Sequence, residues 1–312
     1  MVIFNAMAIP PCDNECVQRL LIIGCGDVAR RALPWLTRRY RVYGVVRVEG
    51  DKAPLRALGV TPILADLDCA ASLKRIGGIA QLVLHFAPPP ASGVRDTRTR
   101  HLLAALAAGR ILPQRISYIS TTGVYGDCGG ARADETRPLN PTTSRAKRRI
   151  DAERVLRRFC IRQGVALTIL RAPGIYAANR LPLERLRRAV PVLAAEEDVY
   201  TNHIHADDLA RGVCRTLTRG GSCRVFNVSD DSELRMGEYF DLVADAFDLA
   251  RPPRMARAQM EGNVSVTSLS FMGESRRLSN RRMKEELGVT LRYPTVLSGI
   301  SAAREEFLAE KW

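Results

Sequence analysis

The chain has 312 residues, of which 46% are hydrophobic and 26% charged, an ordinary composition for a globular protein. Its formal net charge of +14 comes almost entirely from arginine and favours an anionic partner, such as a phosphate-bearing cofactor or an acidic metabolite. The sequence has no apolar run of membrane-spanning length, no recognisable secretory leader, no zinc-finger spacing and no basic low-complexity tail. We therefore expect a cytoplasmic protein that binds no membrane, and we consider nucleic acid an unlikely partner.

Short apolar runs alternate with helical patterns through the first half of the chain. After a flexible tail at residues 1–17, six strands are predicted, at 19–24, 41–46, 60–66, 80–86, 115–120 and 165–171. Helical patterns separate them, with long ones near 94–108 and 144–163. This alternation predicts an α/β protein whose doubly wound parallel sheet, the Rossmann fold, occupies residues 18–172.

Beyond residue 172 the pattern loosens. Helices are predicted at 181–190, 205–217, 236–248 and 276–287, with a late strand at 224–229. We expect residues 173–312 to form mainly a small mixed substrate-binding lobe over the carboxyl ends of the strands, with some elements returning to the Rossmann sheet.

A glycine turn follows the first predicted strand. Gly24, Gly26 and Ala29 form G-x-G-x-x-A between a strand and a helix, which is the context that dinucleotide binding requires. The glycines let backbone amides approach a pyrophosphate, and the amino end of the helix favours its charge.

The end of the second strand indicates which coenzyme is bound. An acid there would bond the ribose 2′-hydroxyl of NAD, whereas an arginine accommodates the 2′-phosphate of NADP. Arg47 occupies this place, so we favour NADP, although Glu49 or Asp51 could take the acidic role and NAD remains possible. Arg30 and Arg31, just past the glycine turn, could contact the cofactor or form a solvated helix face.

Four segments resemble the extended short-chain dehydrogenase/reductase superfamily, also called the NAD-dependent epimerase/dehydratase family. They are the glycine turn, LVLHFAPPP at 82–90, ISTTGVYGD at 119–127, and RAPGIYAANR at 171–180 followed by NHIHADDLARGV at 202–213. The resemblance implies that residues 82–90 border the ribose and phosphates of the cofactor. The cofactor-binding candidates are Gly24, Gly26, Asp27, Val28, Ala29, Arg47, Asp66, Leu67, Phe86, Ala87 and Pro88.

The proton-transfer pair of the family is missing from this sequence. Typical members carry Tyr-x-x-x-Lys with a glutamate four residues later, and alignment on Glu153 places Arg149 at the lysine and Arg145 at the tyrosine. A second register uses Lys147 as the lysine and Thr143 in place of the tyrosine. Arginine stays protonated in proteins, so Arg145 cannot act as a general base. Concentrated positive charge at this position suits a carboxylate or phosphate.

Other side chains could supply chemistry. The resemblance implies that Thr121 polarises a substrate oxygen, and Tyr125 and Tyr176 could reach the pocket. The predicted catalytic set is Thr121, Tyr125, Arg145 and Arg149. The loop acids Asp127, Asp134 and Glu135 are further possible bases. No metal site is expected, because the eight cysteines are scattered and His203 and His205 are better explained by a helix start in which Asp207 is the cap.

Two functions fit these observations. The first is an atypical NADP-dependent oxidoreductase or epimerase-like enzyme that acts on an anionic small molecule. The alternative is a non-catalytic NADP(H)-binding sensor or assembly protein, which the missing phenol favours. The resemblance also implies a possible homodimer through the helices near 94–108 and 144–163.

Overall fold

The computed structural model describes residues 17–260 and 262–309. The flexible tail predicted for residues 1–17 therefore lies outside the described residues, apart from Val17. The strands are β1 Arg19–Ile23, β2 Arg41–Val46, β3 Thr61–Leu64, β4 Leu82–His85, β5 Arg115–Thr121, β6 Arg132–Ala133, β7 Ala166–Ala172, β8 Gly174–Tyr176, β9 Val192–Leu193, β10 Tyr200–Thr201, β11 His203–His205, β12 Arg224–Asn227, β13 Leu234–Arg235, β14 Arg254–Met255 and β15 Arg277–Leu278. The helices are α1 Asp27–Leu36, α2 Lys52–Ala57, α3 Thr97–Ala107, α4 Ser144–Gln163, α5 Leu183–Arg187, α6 Ala206–Arg219, α7 Met236–Ala246, α8 Val266–Met272, α9 Arg281–Glu286 and α10 Val296–Ala309.

Seven parallel strands form the central sheet, in the order β12-β7-β5-β4-β1-β2-β3. The inner strands are apolar on both faces because helices cover the sheet from both sides; Leu20, Leu21, Ile22 and Ile23 of β1 are all fully buried. The predicted doubly wound parallel sheet is confirmed. The late strand β12 joins its edge by pairing with β7, in the register Val225 to Ile169.

Two hydrophobic clusters cover the two faces of the sheet. Helices α1 and α6 pack on one face, where α1 buries Val28, Ala29, Ala32, Leu33 and Leu36 at helical spacing. Helices α3 and α4 cover the other face. A third cluster joins α5, α7 and α10 beyond the sheet. No helix in the described part of the chain is long and apolar enough to cross a membrane.

One predicted helix is wrong in its bounds. Residues 276–287 do not form one helix, because Arg277 and Leu278 pair as β15 with β6 and only Arg281–Glu286 is helical. The amides of Arg277 and Ser279 donate to the carbonyls of Ala131 and Ala133, and these long-range bonds replace the first helical turn. Pairing with a distant segment has overridden a local helical pattern.

Candidate functional site

Two adjacent cavities lie at the carboxyl ends of the central strands, where ligands bind in open α/β sheets. The first has a volume of about 520 Å³ and opens between the end of β1, the start of α1 and the ends of β2 and β4. Every predicted cofactor-binding residue lines it: Gly24, Gly26, Asp27, Val28, Ala29, Arg47, Asp66, Leu67, Phe86, Ala87 and Pro88. These predicted residues come from four separate segments, which the fold brings together as one surface.

The glycine turn is shaped to bring backbone close to a ligand. Gly24 has a φ of +91°, and a Cβ there would lie 2.8 Å from the Ala87 amide nitrogen, so a larger residue would clash with the β4 loop. Gly26 opens onto free space, because a Cβ there would meet no described atom within 4 Å. Gly26 is also the N-cap of α1 and supplies no side-chain cap, which leaves the first-turn amides for a ligand. These features fit a dinucleotide pyrophosphate.

The arginines near the glycine turn differ in whether they border the first cavity or link two helices. Arg30 and Arg47 line the first cavity. The Arg30 Nε donates to the Cys25 carbonyl, and its guanidinium is 3.9 Å from Asp51. Arg31 instead donates to Asp207 Oδ1 at 2.6 Å and to Asp27 Oδ1 at 3.0 Å, which ties α1 to α6. Of the two adjacent arginines, only Arg30 borders the first cavity.

The second cavity, with a volume of about 580 Å³, adjoins the first. Arg149, Ile175 and Arg180 line both, so the two spaces meet at these side chains. Aromatic and cationic residues form much of the rest of its wall: Arg145, Tyr176, Arg185, Tyr200, Tyr239, Phe240, Phe271 and Arg276.

The two registers proposed at the start of α4 place different side chains at the cavities. Arg149 borders both cavities and donates to the Tyr118 hydroxyl at 3.0 Å and to the Ile119 carbonyl at 2.8 Å. Arg145, one turn earlier, borders the second cavity. Thr143 is the N-cap of α4, its hydroxyl accepting from the Ala146 amide, and Lys147 is exposed. The structure brings Arg145 and Arg149 to the cavities and leaves Thr143 and Lys147 outside them.

Thr121 and Tyr125 have different surroundings. Thr121 lines the second cavity, and its hydroxyl accepts from the Gly123 amide at 3.3 Å. Tyr125 borders neither cavity: its hydroxyl donates to Asn227 Oδ1 at 2.7 Å and accepts from Arg171 Nη1 at 3.0 Å. Burial raises the pKa of this phenol. Tyr125 therefore holds the β5 loop against β7 and β12, and we remove it from the candidate catalytic set.

The loop acids Asp127, Asp134 and Glu135 and the ring of His205 line neither cavity. Asp127 accepts from the amides of Gly129 and Ser275, and Glu135 accepts from the Asn227 amide. His205, rather than the expected Asp207, caps α6 by accepting from the Asp207 amide. The described residues contain no cluster of three or more metal-ligating side chains.

Several residues of the second cavity were not predicted. Arg180 and Arg185 lie around α5, and Glu274 and Arg276 lie between α8 and β15. Arg276 donates to Glu274 Oε2 at 2.8 Å and to the Gly126 carbonyl at 2.6 Å. His203 borders the cavity with its ring stacked 4.1 Å from Tyr239, and burial lowers its pKa to about 3. Arg185, Glu274 and Arg276 lie outside the motifs quoted from the sequence, so only the fold reveals that they converge with the others.

The sheet, the glycine cradle and the adjoining cavity define a Rossmann protein of the dinucleotide-binding class. The chain belongs to the NAD dependent epimerase/dehydratase family, whose model matches residues 30–229. No curated protein matches it.

Solved structures with the same fold cover nearly the whole chain. A conserved protein of unknown function from Silicibacter pomeroyi is 27% identical with a TM-score of 0.75, over 93% of this chain and 99% of that one. UDP-glucose 4-epimerase from Thermotoga maritima, solved with UDP-glucose, is 18% identical with a TM-score of 0.76, over 94% and 100% of the two chains. UDP-glucuronic acid 4-epimerase from Bacillus cereus, solved with NAD, is 15% identical with a TM-score of 0.73, over 92% and 96%.

Proposed function

We propose that this protein binds NADP(H) in the first cavity and acts on an anionic small molecule in the second, as an atypical oxidoreductase or epimerase-like enzyme of the cytoplasm. One observation carries the proposal: the cavity with the glycine cradle and the cavity with the cationic wall meet at Arg149, Ile175 and Arg180. A coenzyme in the first would present its reactive end to a molecule in the second. The bound coenzyme supplies hydride transfer.

The residues of the chain would bind the coenzyme, orient the reacting groups and bind the substrate. When NADP(H) is bound, the amides at Gly24 to Val28 would hold its pyrophosphate, while Arg47 and Arg30 would hold its 2′-phosphate. Arg149 is fixed by its bonds to Tyr118 and Ile119, and it orients the groups where the cavities meet. Thr121 offers a hydroxyl to a substrate oxygen, and Arg145 neutralises substrate charge. Because Arg145 keeps its proton, the usual phenol exchange is not part of this scheme.

The coenzyme preference gives the first test. Arg47 is exposed and makes no hydrogen bond or ion pair with a described residue, so Arg47→Ser should leave the fold intact. Loss of one charge-assisted phosphate contact should weaken NADPH binding about tenfold and leave NADH binding unchanged, as measured by calorimetry. The matched control is Arg38→Ser, at an exposed arginine that does not line the cavity. A wild-type protein that binds neither coenzyme would refute the proposal.

A second candidate function is a non-catalytic NADP(H) sensor. It is supported by the surroundings of the acid and base groups of the second cavity: Glu274 is held by Arg276 and Thr142, and burial keeps His203 neutral. A sensor would bind NADPH, and its thermal unfolding temperature would rise on binding, but it would oxidise no NADPH with a panel of anionic metabolites. Spectrophotometric turnover with a panel member would exclude this candidate.

A further inference from the structure

We infer that the second cavity is built for a substrate that carries two negative charges, which Arg145 and Arg185 receive. This inference rests on the proposed function, in which the same cavity takes up the substrate.

Arg145 is held in place without a partner for its charge. Its guanidinium carbon lies 4.1 Å from the centroid of the Phe271 ring. It makes no hydrogen bond or ion pair with any residue of 17–260 or 262–309. It also lies in the first turn of α4, which contains no acid and where the helix dipole disfavours a cation. Burial lowers its pKa, so the folded protein holds this charge at a cost.

Arg185 is in a similar position on a different element. Its guanidinium carbon lies 4.6 Å from the centroid of the Phe240 ring. Its Nη2 is buried and has no hydrogen-bond partner within the described chain. Burial lowers the pKa of this side chain too. A buried donor without an acceptor is destabilising, and it is explained if the acceptor belongs to a ligand.

The acid of the cavity does not compensate either arginine. Glu274 is the only acid among the described residues of this wall. One of its oxygens accepts from Arg276 at 2.8 Å and the other from the Thr142 hydroxyl at 3.0 Å. Its charge acts on Arg145, but the two form no ion pair. Arg276 and Glu274 thus neutralise each other.

Arg180 lies 3.5 Å from Asp27, and Arg149 is held by Tyr118 and Ile119 where the two cavities meet. Arg145 and Arg185 are the cations of this wall that have no polar partner in the described chain, and they are left for the substrate.

The geometry indicates the kind of molecule. An aromatic ring against each guanidinium face limits its rotation and leaves the N–H edge to bind a carboxylate or phosphate. A volume of about 580 Å³ suits a small metabolite. A compact dianion fits, either a dicarboxylate or a phosphorylated compound.

The test compares dianions with a matched monoanion at constant ionic strength. Malonate, succinate, glutarate, inorganic phosphate and butyrate are titrated calorimetrically into the full chain, with and without saturating NADPH. We expect at least one dianion to bind about tenfold more tightly than butyrate, because a second charge-assisted contact is made. A preferred dicarboxylate or a preferred phosphate identifies the anionic group. Equal binding of all five probes would overturn the inference.

Variants locate the site. Arg145→Gln and Arg185→Gln should each remove the preference for the dianion, whereas Arg188→Gln, at an exposed arginine just after α5, should keep it. A preference that survives both substitutions would also overturn the inference. If a glutamine variant fails to fold, as seen by circular dichroism, the wild-type comparison decides. Absent NADPH binding refutes the proposed function separately, because the anion titrations without coenzyme are independent of it.

Discussion

Glu153 and Arg171 show how a single buried pair positions the candidate site. Arg171 donates to both Glu153 oxygens, at 3.1 and 2.8 Å, and Ser120 donates to the same carboxylate at 2.6 Å. Both side chains of the ion pair are at most 3% exposed. These bonds join α4 to β5 and β7, and Arg149 lies one turn before Glu153 on the same helix. Because the pair fixes the position of α4 on the sheet, it also fixes the position of Arg149 at the wall of the two cavities.

Removal of Glu153 would leave a buried, uncompensated guanidinium. We expect Glu153→Ala to lower the free energy of unfolding by about 3–5 kcal/mol in urea denaturation. The control is Glu286→Ala, which breaks the exposed pair with Arg224 and should cost at most about 1 kcal/mol. Similar losses for the two variants would show that the buried pair does not have the role assigned here.

At the scale of elements, the segment that follows β12 contains Asp230, a carboxylic acid buried in the protein interior, where carboxylates are rarely found. Asp230 is 4% exposed, and its Oδ2 has no hydrogen-bond partner in the described structure. Burial raises the pKa of its carboxyl to about 8, the charges of Asp231 and Asp208 add to this, and hydrogen bonds from Ser232 oppose it. The folded protein therefore holds this carboxyl protonated well above pH 4.

The sign of the resulting pH dependence follows from proton linkage. Between about pH 4 and pH 8 the folded state keeps a proton on Asp230 that the unfolded state releases, so this group makes stability fall as the pH rises. Asp230→Asn cannot ionise, so its free energy of unfolding should rise relative to that of the wild type from pH 5 to pH 8. Urea denaturation at both pH values measures this. Exposed Asp245→Asn should show no such change, and parallel profiles for Asp230→Asn and wild type would contradict the prediction.

At the scale of the whole molecule, the outer face of α3 and α4 is a candidate dimer surface. A groove between these helices has an apolar floor and an arginine rim, and Ile161 in it is 70% exposed. The apolar residues are Leu103, Val155, Phe159 and Ile161, and the arginines are Arg100, Arg158 and Arg162. We propose that two copies pair through this face. Light scattering should then give a mass twice the 34.5 kDa of the chain, and Ile161→Glu should halve it, because a carboxylate would enter an apolar contact.

A second exposed apolar residue provides the matched control. Leu297 on α10 is 57% exposed and distant from the groove in sequence, so Leu297→Glu should leave the mass unchanged. A wild-type mass of one chain would refute the dimer, and a reduced mass for Leu297→Glu would place the contact elsewhere.

Many of the residues that line the first cavity could be predicted from the sequence. Its residues follow apolar strands at fixed offsets, and parallel strands place all their carboxyl ends at one edge of the sheet. Gly24 and Gly26 therefore line the same cavity as Phe86, Ala87 and Pro88. The position of the Tyr125 phenol could not be read in this way, because the family motif locates the loop and not the direction of the side chain, which the bonds to Asn227 and Arg171 determine.

The sequence by itself determined the strand and helix alternation, the parallel sheet, the glycine turn and the arginines at the start of α4. These depend on local apolar periodicity and on short fixed spacings. The tertiary structure alone decided that residues 276–287 begin as a strand, that β12 pairs with β7, and that Arg185, Glu274 and Arg276 line the same cavity as Arg145. The physical reason is distance along the chain: contacts between residues that are tens of positions apart or more arise from packing of the whole fold, and no local pattern encodes them.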